Sequence, residues 1–383
     1  MTSVVKLLVD ENLPEAEHFF AEFGVLTRVA GRAVTPAQAQ AADVLLLRSQ
    51  TRIDAALLGE AQPRFVGTGT AGVDHVDEAF LAARGIPFAH APGCNADPVA
   101  DWVMVATAQA VLAGALAEGA RFAVVGGGAV GGRVAKRLVA LGFEVGIYDP
   151  PRQALGLPLA APAWSREAVL AADAITFHVP AIKNGAHPTV PWLSAEELLA
   201  LPRGRVLLNA GRGGVVPDGA LLTALLRGDG HWVALDVFEA EPAPPLALLE
   251  AVALATPHIA GHSDEGKLRG TAMLYDALCE TLRRSPEDHY AAALAPPPDA
   301  RVVPGATRQA GWEALAEALE LRALSTRYRE ALAVGKETPS AIFDALRRAQ
   351  GGRRDFALTP YRAMGEAGVL LAAAGLAVAG SHG

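Results

Sequence analysis

Three side chains whose types could carry out proton and hydride chemistry follow one another along the chain. Arg212 lies in NAGRGGVV, Glu241 in LDVFEAEP and His258 in TPHIAG. A guanidinium can grip a carboxylate, an imidazole can move a proton, and a carboxylate can hold that imidazole and keep it basic. Glu239 could compete with Glu241 for the last role. These three types of group are what hydride transfer from an alcohol carbon to a nicotinamide ring requires.

A glycine-rich run upstream of these residues predicts a dinucleotide site. Gly126, Gly128 and Gly131 form G-x-G-x-x-G directly after the apolar segment RFAVV, at the start of a predicted helix. The first glycine allows a tight turn, the second lets the backbone approach a pyrophosphate, and the third lets helix and strand pack closely. The N-terminus of the helix would bind the phosphates. Alone, such a triplet is a weak signal, and a flexible turn is the alternative.

Asp149, at the end of the segment GIYDP, strengthens the prediction of a dinucleotide site. It follows the glycines by about 20 residues, where an acidic side chain binds the adenosine ribose hydroxyls. A carboxylate at this position repels a 2′-phosphate, so NAD is favoured over NADP, although nearby Arg152 weakens the exclusion. The alternative is a strand-end aspartate that caps the turn before Pro150 and Pro151.

The composition argues against several classes of protein. With 51% hydrophobic and 19% charged residues over 383 positions, we expect a soluble, globular chain of two or three domains. The net charge of −8 argues against nucleic-acid binding, and no uncharged stretch reaches the roughly 18 residues of a membrane span. Cys94 and Cys279 are too few for a disulfide framework and suit the cytoplasm. No metal site is expected, since neither His75 nor His178 has a second ligand at i+4.

Short apolar runs alternate with longer amphipathic ones, which predicts parallel strands joined by helices. The predicted strands are residues 6–9, 44–47, 65–68, 121–125, 145–148, 174–178, 206–209 and 232–236. The predicted helices are residues 14–23, 77–83, 97–117, 217–226 and 265–284. The pattern indicates an α/β fold with two Rossmann-like, doubly wound parallel-sheet domains.

The order of these elements predicts a discontinuous domain organisation. Residues 1–95 and 258–284 are expected to form a substrate-binding domain, into which an NAD-binding Rossmann domain of residues 96–257 is inserted. A proline-rich and alanine-rich segment follows. We assign the remaining residues, 285–383, to a small α+β C-terminal domain for dimerisation.

The segments VVGGGAVGG, NAGRGGVVPDGALLTAL and LDVFEAEP…TPHIAG resemble the D-isomer-specific 2-hydroxyacid dehydrogenases. The resemblance covers nearly the whole span from residue 6 to about residue 284. Runs such as LLVDENLPEA and APGCNADPV resemble members of that family that oxidise a small phosphorylated hydroxy acid with NAD. The resemblance implies that Arg212, Glu241 and His258 are catalytic and that the C-terminal extension makes a homodimer.

The same resemblance implies the ligand contacts. Cofactor contacts are implied at Val130, Asp149, Thr176, Ala210, Gly211, Arg212, Asp236 and Gly261, and substrate contacts at Ser49 and Thr70. Asp236 is expected to face the nicotinamide. Arg48 with Ser49 is the leading candidate for the substrate phosphate, with Lys267 and Arg269 as helpers. His262 stands where close relatives have tyrosine; either side chain can donate a hydrogen bond to substrate, but histidine can also become charged.

Two other functions remain open from the sequence. The chain could act on another 2-hydroxy acid, such as 3-phosphoglycerate or hydroxypyruvate. It could also be an NAD-responsive binding protein without turnover, although a binding protein needs no proton carrier. Near the C-terminus, a basic cluster is interpreted as a solvated face, with a phosphate site for a partner subunit as the alternative; it consists of Arg347, Arg348, Arg353 and Arg354.

Overall fold

The computed structural model describes residues 4–379, which divide into two compact units. Unit 1 joins residues 4–95 with Ser263–Pro296, and unit 2 joins Ala96–His262 with residues 297–379. The first and last stretches of the chain thus belong to different units. The sequence predicts boundaries at 95/96, 257/258 and 284/285; in the structure the chain passes to unit 2 after Asn95, back to unit 1 after His262 and again to unit 2 after Pro296.

Unit 1 contains a five-stranded sheet in the order β2-β1-β3-β4-β5, with every pairing parallel. Its first stretch holds β1 Lys6–Asp10, α1 Ala16–Phe20, β2 Val25–Val29, α2 Pro36–Gln40, β3 Val44–Leu47, α3 Ala55–Leu58, β4 Phe65–Thr68, α4 Glu78–Ala83 and β5 Phe88–His90. The strands β3 and β4 are buried along their whole length, as expected for parallel strands covered on both faces.

Unit 2 contains a six-stranded parallel sheet in the order β11-β10-β9-β8-β6-β7. Its elements are α5 Ala96–Leu112, β6 Arg121–Val125, α6 Ala129–Ala140, β7 Glu144–Tyr148, α7 Pro150–Ala154, α8 Arg166–Leu170, β8 Ala174–Phe177, α9 Ala195–Ala200, β9 Val206–Asn209, α10 Asp218–Leu226, β10 Trp232–Leu235, α11 Leu246–Ala251 and β11 Leu254–Ala255. The strand order reverses between β6 and β8. Ligands of open α/β sheets bind at the carboxyl ends of strands beside such a reversal.

The chain then returns to unit 1 through α12 Asp264–Thr281 and α13 His289–Ala293. Ser263 caps α12, its Oγ accepting the N–H of Gly266 at 2.9 Å. Apolar residues of α12 such as Leu274 and Tyr275 are buried, and the Tyr275 ring packs edge-on against Phe19. A long helix was predicted here, and it ends three residues earlier than expected.

The C-terminal segment, residues 297–379, adds a three-stranded parallel sheet to unit 2. Its elements are β12 Arg301–Val302, α14 Arg308–Glu317, α15 Leu321–Val334, α16 Pro339–Arg348, β13 Pro360–Arg362, α17 Gly365–Ala373 and β14 Ala377–Ala379. Trp312 of α14 is buried against Phe143, and Gln109 of α5 donates to the carbonyl of Ala316 at 2.9 Å. The segment and the larger sheet therefore share a hydrophobic core.

The α/β prediction is confirmed, since both large sheets are parallel and flanked by helices. The sequence missed the short strands Val25–Val29 and Phe88–His90, which are only partly buried and lack a clear apolar pattern. Within residues 4–379, no helix combines the length and the apolar character that crossing a membrane demands.

Candidate active site

The predicted glycine turn connects β6 to α6 at the reversal of strand order. Gly126 has a φ of +94°, a conformation that side chains other than glycine rarely adopt. A Cβ atom on Gly131 would lie 1.8 Å from the carbonyl oxygen of Gly126. The first and third glycines are therefore required by the fold itself, as the sequence predicted.

Gly128 differs, because the protein's own structure does not require a glycine there. Its φ is −71°, and a Cβ atom would have no neighbour within 4 Å among the described residues. Gly128 is the N-cap of α6, whose first turn has no acidic residue and no side-chain cap. The start of this 12-residue helix thus has N–H groups without a side-chain cap and open space beside Gly128 for an anion. These features fit the pyrophosphate of a dinucleotide.

Asp149 has the structural role that the sequence offered as the alternative to ribose binding. Its Oδ2 accepts the N–H of Gly127 at 2.8 Å, which ties the end of β7 to the glycine turn. Its Oδ1 accepts the N–H of Arg152 at 3.1 Å and caps α7. Because each carboxylate oxygen can accept a second hydrogen bond, these contacts leave capacity for ribose hydroxyls.

Thr176 lies in β8 with its side chain fully buried. Its hydroxyl hydrogen bonds to the Nε2 atom of His178 at 2.9 Å. Burial lowers the pKa of His178 to about 3, so the ring is neutral at physiological pH. The main chain of His178 borders the glycine turn, since a Cβ on Gly126 would lie 2.5 Å from its carbonyl oxygen. Thr176 thus orients a neutral histidine beside the predicted cofactor site.

Arg212 lies in the loop that follows β9, and Asn209 at the strand end shapes this loop. The Asn209 side chain accepts the N–H of Gly211 at 3.1 Å and donates to the carbonyl of Arg212 at 3.0 Å. A Cβ on Gly213 would lie 1.9 Å from the carbonyl oxygen of Phe238. The loop after β9 therefore packs closely against the loop after β10. Asn209 is a positioning residue that the sequence analysis missed.

His258 and Glu241 form the pair that the sequence predicted. The distance between His258 Nδ1 and Glu241 Oε2 is 2.8 Å, and Glu241 Oε1 accepts the N–H of Phe238 at 2.9 Å. Because an ionised carboxylate only accepts hydrogen bonds, Nδ1 carries the ring proton in this pair. Nε2 has no hydrogen-bond partner among the described residues. Glu239, the other candidate, instead accepts the N–H of Asp218 at 3.2 Å.

The turn that carries His258 has an unusual backbone. His258 has a φ of +53°, a left-handed conformation that costs energy for a residue with a side chain. Its N–H donates to the carbonyl of Asp236 at 2.7 Å. The Asp236 carboxylate accepts the N–H groups of Ile259 and Ala260, each at 2.8 Å, and the hydroxyl of Thr256. Asp236 thus holds the turn in place.

Asp236 is predicted to face the nicotinamide, and its carboxylate lies buried among groups of the protein itself. Asp236 is 1% exposed, and burial raises the pKa of its carboxyl group despite the opposing charge of His258. In the described structure its two oxygens bind the protein's own backbone and Thr256. Thr256 in turn accepts the indole N–H of Trp102 at 3.1 Å. No local sequence pattern predicted this network.

The remaining predicted cofactor residues of unit 2 follow the ends of adjacent strands. Ala210 and Gly211 directly follow β9, Val130 lies in the first turn of α6, and Gly261 follows the His258 turn, next to the predicted substrate residue His262. The backbone N–H of His262 donates to the carbonyl of Ile259 at 2.9 Å. The structure therefore supplies these side chains and main-chain groups from the carboxyl edge of one parallel sheet.

Three of the four predicted substrate residues, Arg48, Ser49 and Thr70, lie in unit 1 at the carboxyl ends of β3 and β4, whereas the fourth, His262, belongs to unit 2. Arg48 follows β3 and donates to the carbonyl of Gly69, at 3.4 Å. Ser49 is exposed, and its hydroxyl forms no hydrogen bond within the described part of the chain. The Thr70 hydroxyl contacts that of Thr68, at 3.0 Å, and the carbonyl of Gly72, at 2.9 Å.

Two more cations of unit 1 lie near Arg48. Burial lowers the pKa of Lys267, and the charge of Arg48 lowers it further. Burial raises the pKa of the Cys94 thiol, which Arg48 and Arg269 oppose. Arg269 donates to the carbonyl of Cys94 at 2.9 Å. The three cations therefore form a local basic cluster, whereas Cys94 is buried as expected.

The two histidines that could have suggested a metal are bound to threonines. His75 Nε2 contacts the Thr68 hydroxyl at 2.9 Å, as His178 contacts Thr176. No group of three or more histidine, cysteine or acidic side chains suited to a metal ion occurs within residues 4–379.

Comparison with known proteins agrees with this geometry. The family model for the NAD binding domain of D-isomer specific 2-hydroxyacid dehydrogenases matches residues 95–260. The erythronate-4-phosphate dehydrogenase of Salinibacter ruber is 48% identical over 293 residues, 74% of this chain and 73% of the relative. The enzyme of the same name from Aeromonas hydrophila is 42% identical over 360 residues, 92% of this chain and 93% of the relative.

Solved structures share the fold. A protein from Thermus thermophilus matches with a TM-score of 0.59 and 29% identity, covering 74% of this chain and 98% of its own. An NADPH-dependent glyoxylate/hydroxypyruvate reductase from Sinorhizobium meliloti, solved with NADP and malonate, matches with a TM-score of 0.60. It covers 75% of this chain and 98% of its own at 24% identity, which supports the fold alone.

Proposed function

This chain belongs to the erythronate-4-phosphate dehydrogenases within the D-isomer specific 2-hydroxyacid dehydrogenase family, and we propose that it oxidises 4-phospho-D-erythronate with NAD. The product would be (3R)-3-hydroxy-2-oxo-4-phosphooxybutanoate, an intermediate of pyridoxal 5′-phosphate biosynthesis. The observation that carries the proposal is the pair of His258 and Glu241 at 2.8 Å, with Nε2 of the ring left for a substrate proton.

The chemistry follows from the groups present. NAD, when bound, accepts the hydride from C2 of the hydroxy acid. Nε2 of His258 takes the proton of the 2-hydroxyl, and the negative charge of Glu241 stabilises the imidazolium that results. The planar guanidinium of Arg212 orients the substrate carboxylate and stabilises the charge that develops on the C2 oxygen.

The glycine turn and Asp149 support NAD as the cofactor. Open space at Gly128 and the uncapped start of α6 suit the pyrophosphate, while Asp149 would bind the ribose hydroxyls and repel a 2′-phosphate. Buried Thr176 would act through His178 rather than by direct contact with the cofactor.

For the substrate phosphate we propose the basic cluster of unit 1. Arg48 lies at a strand end with the exposed hydroxyl of Ser49 beside it, and Lys267 and Arg269 add positive charge. The Lys267 ammonium has no hydrogen-bond partner among the described residues, so it can bind an oxyanion without losing one. An unphosphorylated acid would leave this partly desolvated ammonium without a phosphate, although the charge of Asp264 also acts on it.

A panel of substrates tests the function. Formation of NADH is measured with 4-phosphoerythronate, 3-phosphoglycerate and erythronate under the same conditions. We expect a kcat/KM at least about a hundredfold higher for 4-phosphoerythronate than for erythronate, because erythronate lacks the phosphate that the basic cluster would bind. Preference for 3-phosphoglycerate would assign a different substrate, and NADH binding without turnover of any acid would indicate a binding protein.

We further propose a cytoplasmic homodimer that associates through the C-terminal segment. Four apolar side chains of this segment, Val302, Val334, Met364 and Val369, are more than 60% exposed and would be covered in such a dimer. The two buried free cysteines suit a reducing compartment. Light scattering of the purified protein, with Val369→Glu as the variant, tests the association: the wild type should have twice the mass of a monomer.

A further inference from the structure

Side chains of the C-terminal segment hydrogen bond to the backbone around β11, which leads to the catalytic turn. Arg329 of α15 donates to the carbonyls of Leu249 and Val252, each at 2.7 Å. Ser325, one turn earlier on the same helix, accepts the N–H of Ala255 at 2.9 Å through its Oγ. One face of α15 therefore binds the backbone of residues 249–255, which precede the catalytic turn.

Two arginines extend these contacts onto the turn itself. Arg347, near the end of α16, donates through Nη1 to the carbonyls of Pro257, at 3.3 Å, and His258, at 2.5 Å. Arg353 donates to the carbonyl of Ile259 at 2.8 Å. Three successive carbonyls of the catalytic turn thus accept hydrogen bonds from guanidinium groups of the C-terminal segment. Interpreting these two arginines as a solvated face was wrong.

The contacts hold the His258 peptide units from both sides. The N–H of His258 is bound by the carbonyl of Asp236, and its carbonyl by Arg347. The next N–H, that of Ile259, is bound by the Asp236 carboxylate. A left-handed histidine persists only where its surroundings determine its conformation in this way. Of these contacts, the guanidinium of Arg347 is supplied by the C-terminal segment.

We propose that Arg347 is a positioning residue that fixes the left-handed backbone of His258 and so directs its imidazole towards Glu241. The inference rests on the proposed function, in which His258 accepts the substrate proton. The C-terminal segment then positions a catalytic residue of its own chain, a role separate from any association of subunits.

The surroundings of Arg347 restrict its guanidinium, whereas its neighbour provides a matched control. The guanidinium lies 5.4 Å from the centre of the Phe343 ring, a cation–π contact that adds to its hydrogen bonds. Arg348 is exposed, and its side chain has no hydrogen bond or ion pair within the described part of the chain. Both residues lie in α16, so replacing either removes one positive charge from the same helix.

Three variants test the proposal through turnover: Arg347→Ala, Arg347→Lys and Arg348→Ala. We expect Arg347→Ala to lower kcat by about tenfold to a hundredfold, because small displacements of a catalytic group cost rates of this order. The KM and the NAD dissociation constant should stay within about twofold, since Arg347 is proposed to act through the backbone of His258. Arg347→Lys, which keeps a charged donor, should recover part of the loss, and Arg348→Ala should match the wild type.

A second measurement is independent of turnover. The Nδ1 proton of His258, hydrogen bonded to a carboxylate, gives a downfield NMR signal in protein labelled with ¹⁵N-histidine, assigned by its absence from His258→Gln. We expect this signal to shift or broaden in Arg347→Ala and to be unchanged in Arg348→Ala. A kcat of Arg347→Ala within twofold of the wild type, or an unchanged Nδ1 signal, overturns the proposal. If the wild type oxidises no acid, the proposed function fails, while the NMR signal still decides whether Arg347 positions His258.

Discussion

The Nδ1 atom of His258 lies 2.8 Å from Oε2 of Glu241, and the other oxygen of that carboxylate accepts the backbone N–H of Phe238. One oxygen of the Glu241 carboxylate is therefore held by the main chain, while the other orients the His258 ring. The hydrogen bond to Glu241 sets the tautomer of the imidazole, with the proton on Nδ1. It leaves Nε2 as the atom that can receive a proton.

Removing the charge of Glu241 should slow the proton transfer. In Glu241→Gln the amide can still accept the N–H of Phe238, but it no longer stabilises an imidazolium. We expect kcat to fall at least about tenfold, with NAD affinity unchanged. Glu239→Gln is the matched control, because Glu239 bonds to Asp218 rather than to the histidine. Equal losses of kcat in both variants would show that the negative charge of the loop, rather than the pair of His258 and Glu241, determines the rate.

Alanine at two of the glycines should separate cofactor binding from stability. Gly128→Ala should change the free energy of unfolding by less than about 1 kcal/mol, since its Cβ meets open space. It should still weaken NAD binding at least about tenfold, because the pyrophosphate approaches the backbone there. Urea unfolding and a fluorescence titration with NADH measure the two effects.

Gly131→Ala provides the contrast. Its Cβ would overlap the carbonyl of Gly126, so we expect a loss of at least about 2 kcal/mol of stability. If Gly128→Ala binds NAD as the wild type does, the cofactor does not lie against this turn.

Asp149 should determine the preference for NAD. In Asp149→Asn one acceptor oxygen remains but the charge that repels a 2′-phosphate is lost. We expect the ratio of kcat/KM with NAD to that with NADP to fall at least about tenfold. Glu144→Gln, at the exposed opposite end of the same strand, serves as the control and should leave the ratio unchanged. A ratio that stays constant in Asp149→Asn would place cofactor selection elsewhere.

Stability should depend on pH through His178. Burial lowers its pKa in the folded protein from about 6.5 to about 3. Between these values the unfolded chain binds one more proton, so stability falls as the pH falls, by up to about 1.4 kcal/mol per pH unit. Urea unfolding of wild type and His178→Asn between about pH 7 and pH 5 measures the slope, which should be shallower in the variant. Identical slopes would mean that the buried ring does not titrate in this way.

The sequence predicted those parts of the fold and site that short-range patterns determine. Gly126, Gly131 and Asp149 belong to one strand–turn–helix–strand unit, whose geometry fixes their spacing. The sequence also predicted the pairing of His258 with Glu241, and the structure resolves the competition with Glu239, whose carboxylate instead accepts the N–H of Asp218.

Contacts between distant segments were beyond sequence patterns. The bond between Arg347 and the carbonyl of His258 joins residues 89 positions apart, and no local pattern distinguishes Arg347 from Arg348. The burial of the Asp236 carboxylate against Ile259 and Ala260 likewise depends on how a loop folds back on its strand.

The most direct test of the account is the single-turnover rate of NADH formation from 4-phosphoerythronate in the wild type and in His258→Asn, at saturating NAD. Asparagine removes the proton acceptor. The account predicts measurable turnover in the wild type and a rate at least about a hundredfold lower in the variant, with the NAD dissociation constant unchanged. Equal rates in the two proteins would contradict the assignment of His258 as the group that takes the substrate proton.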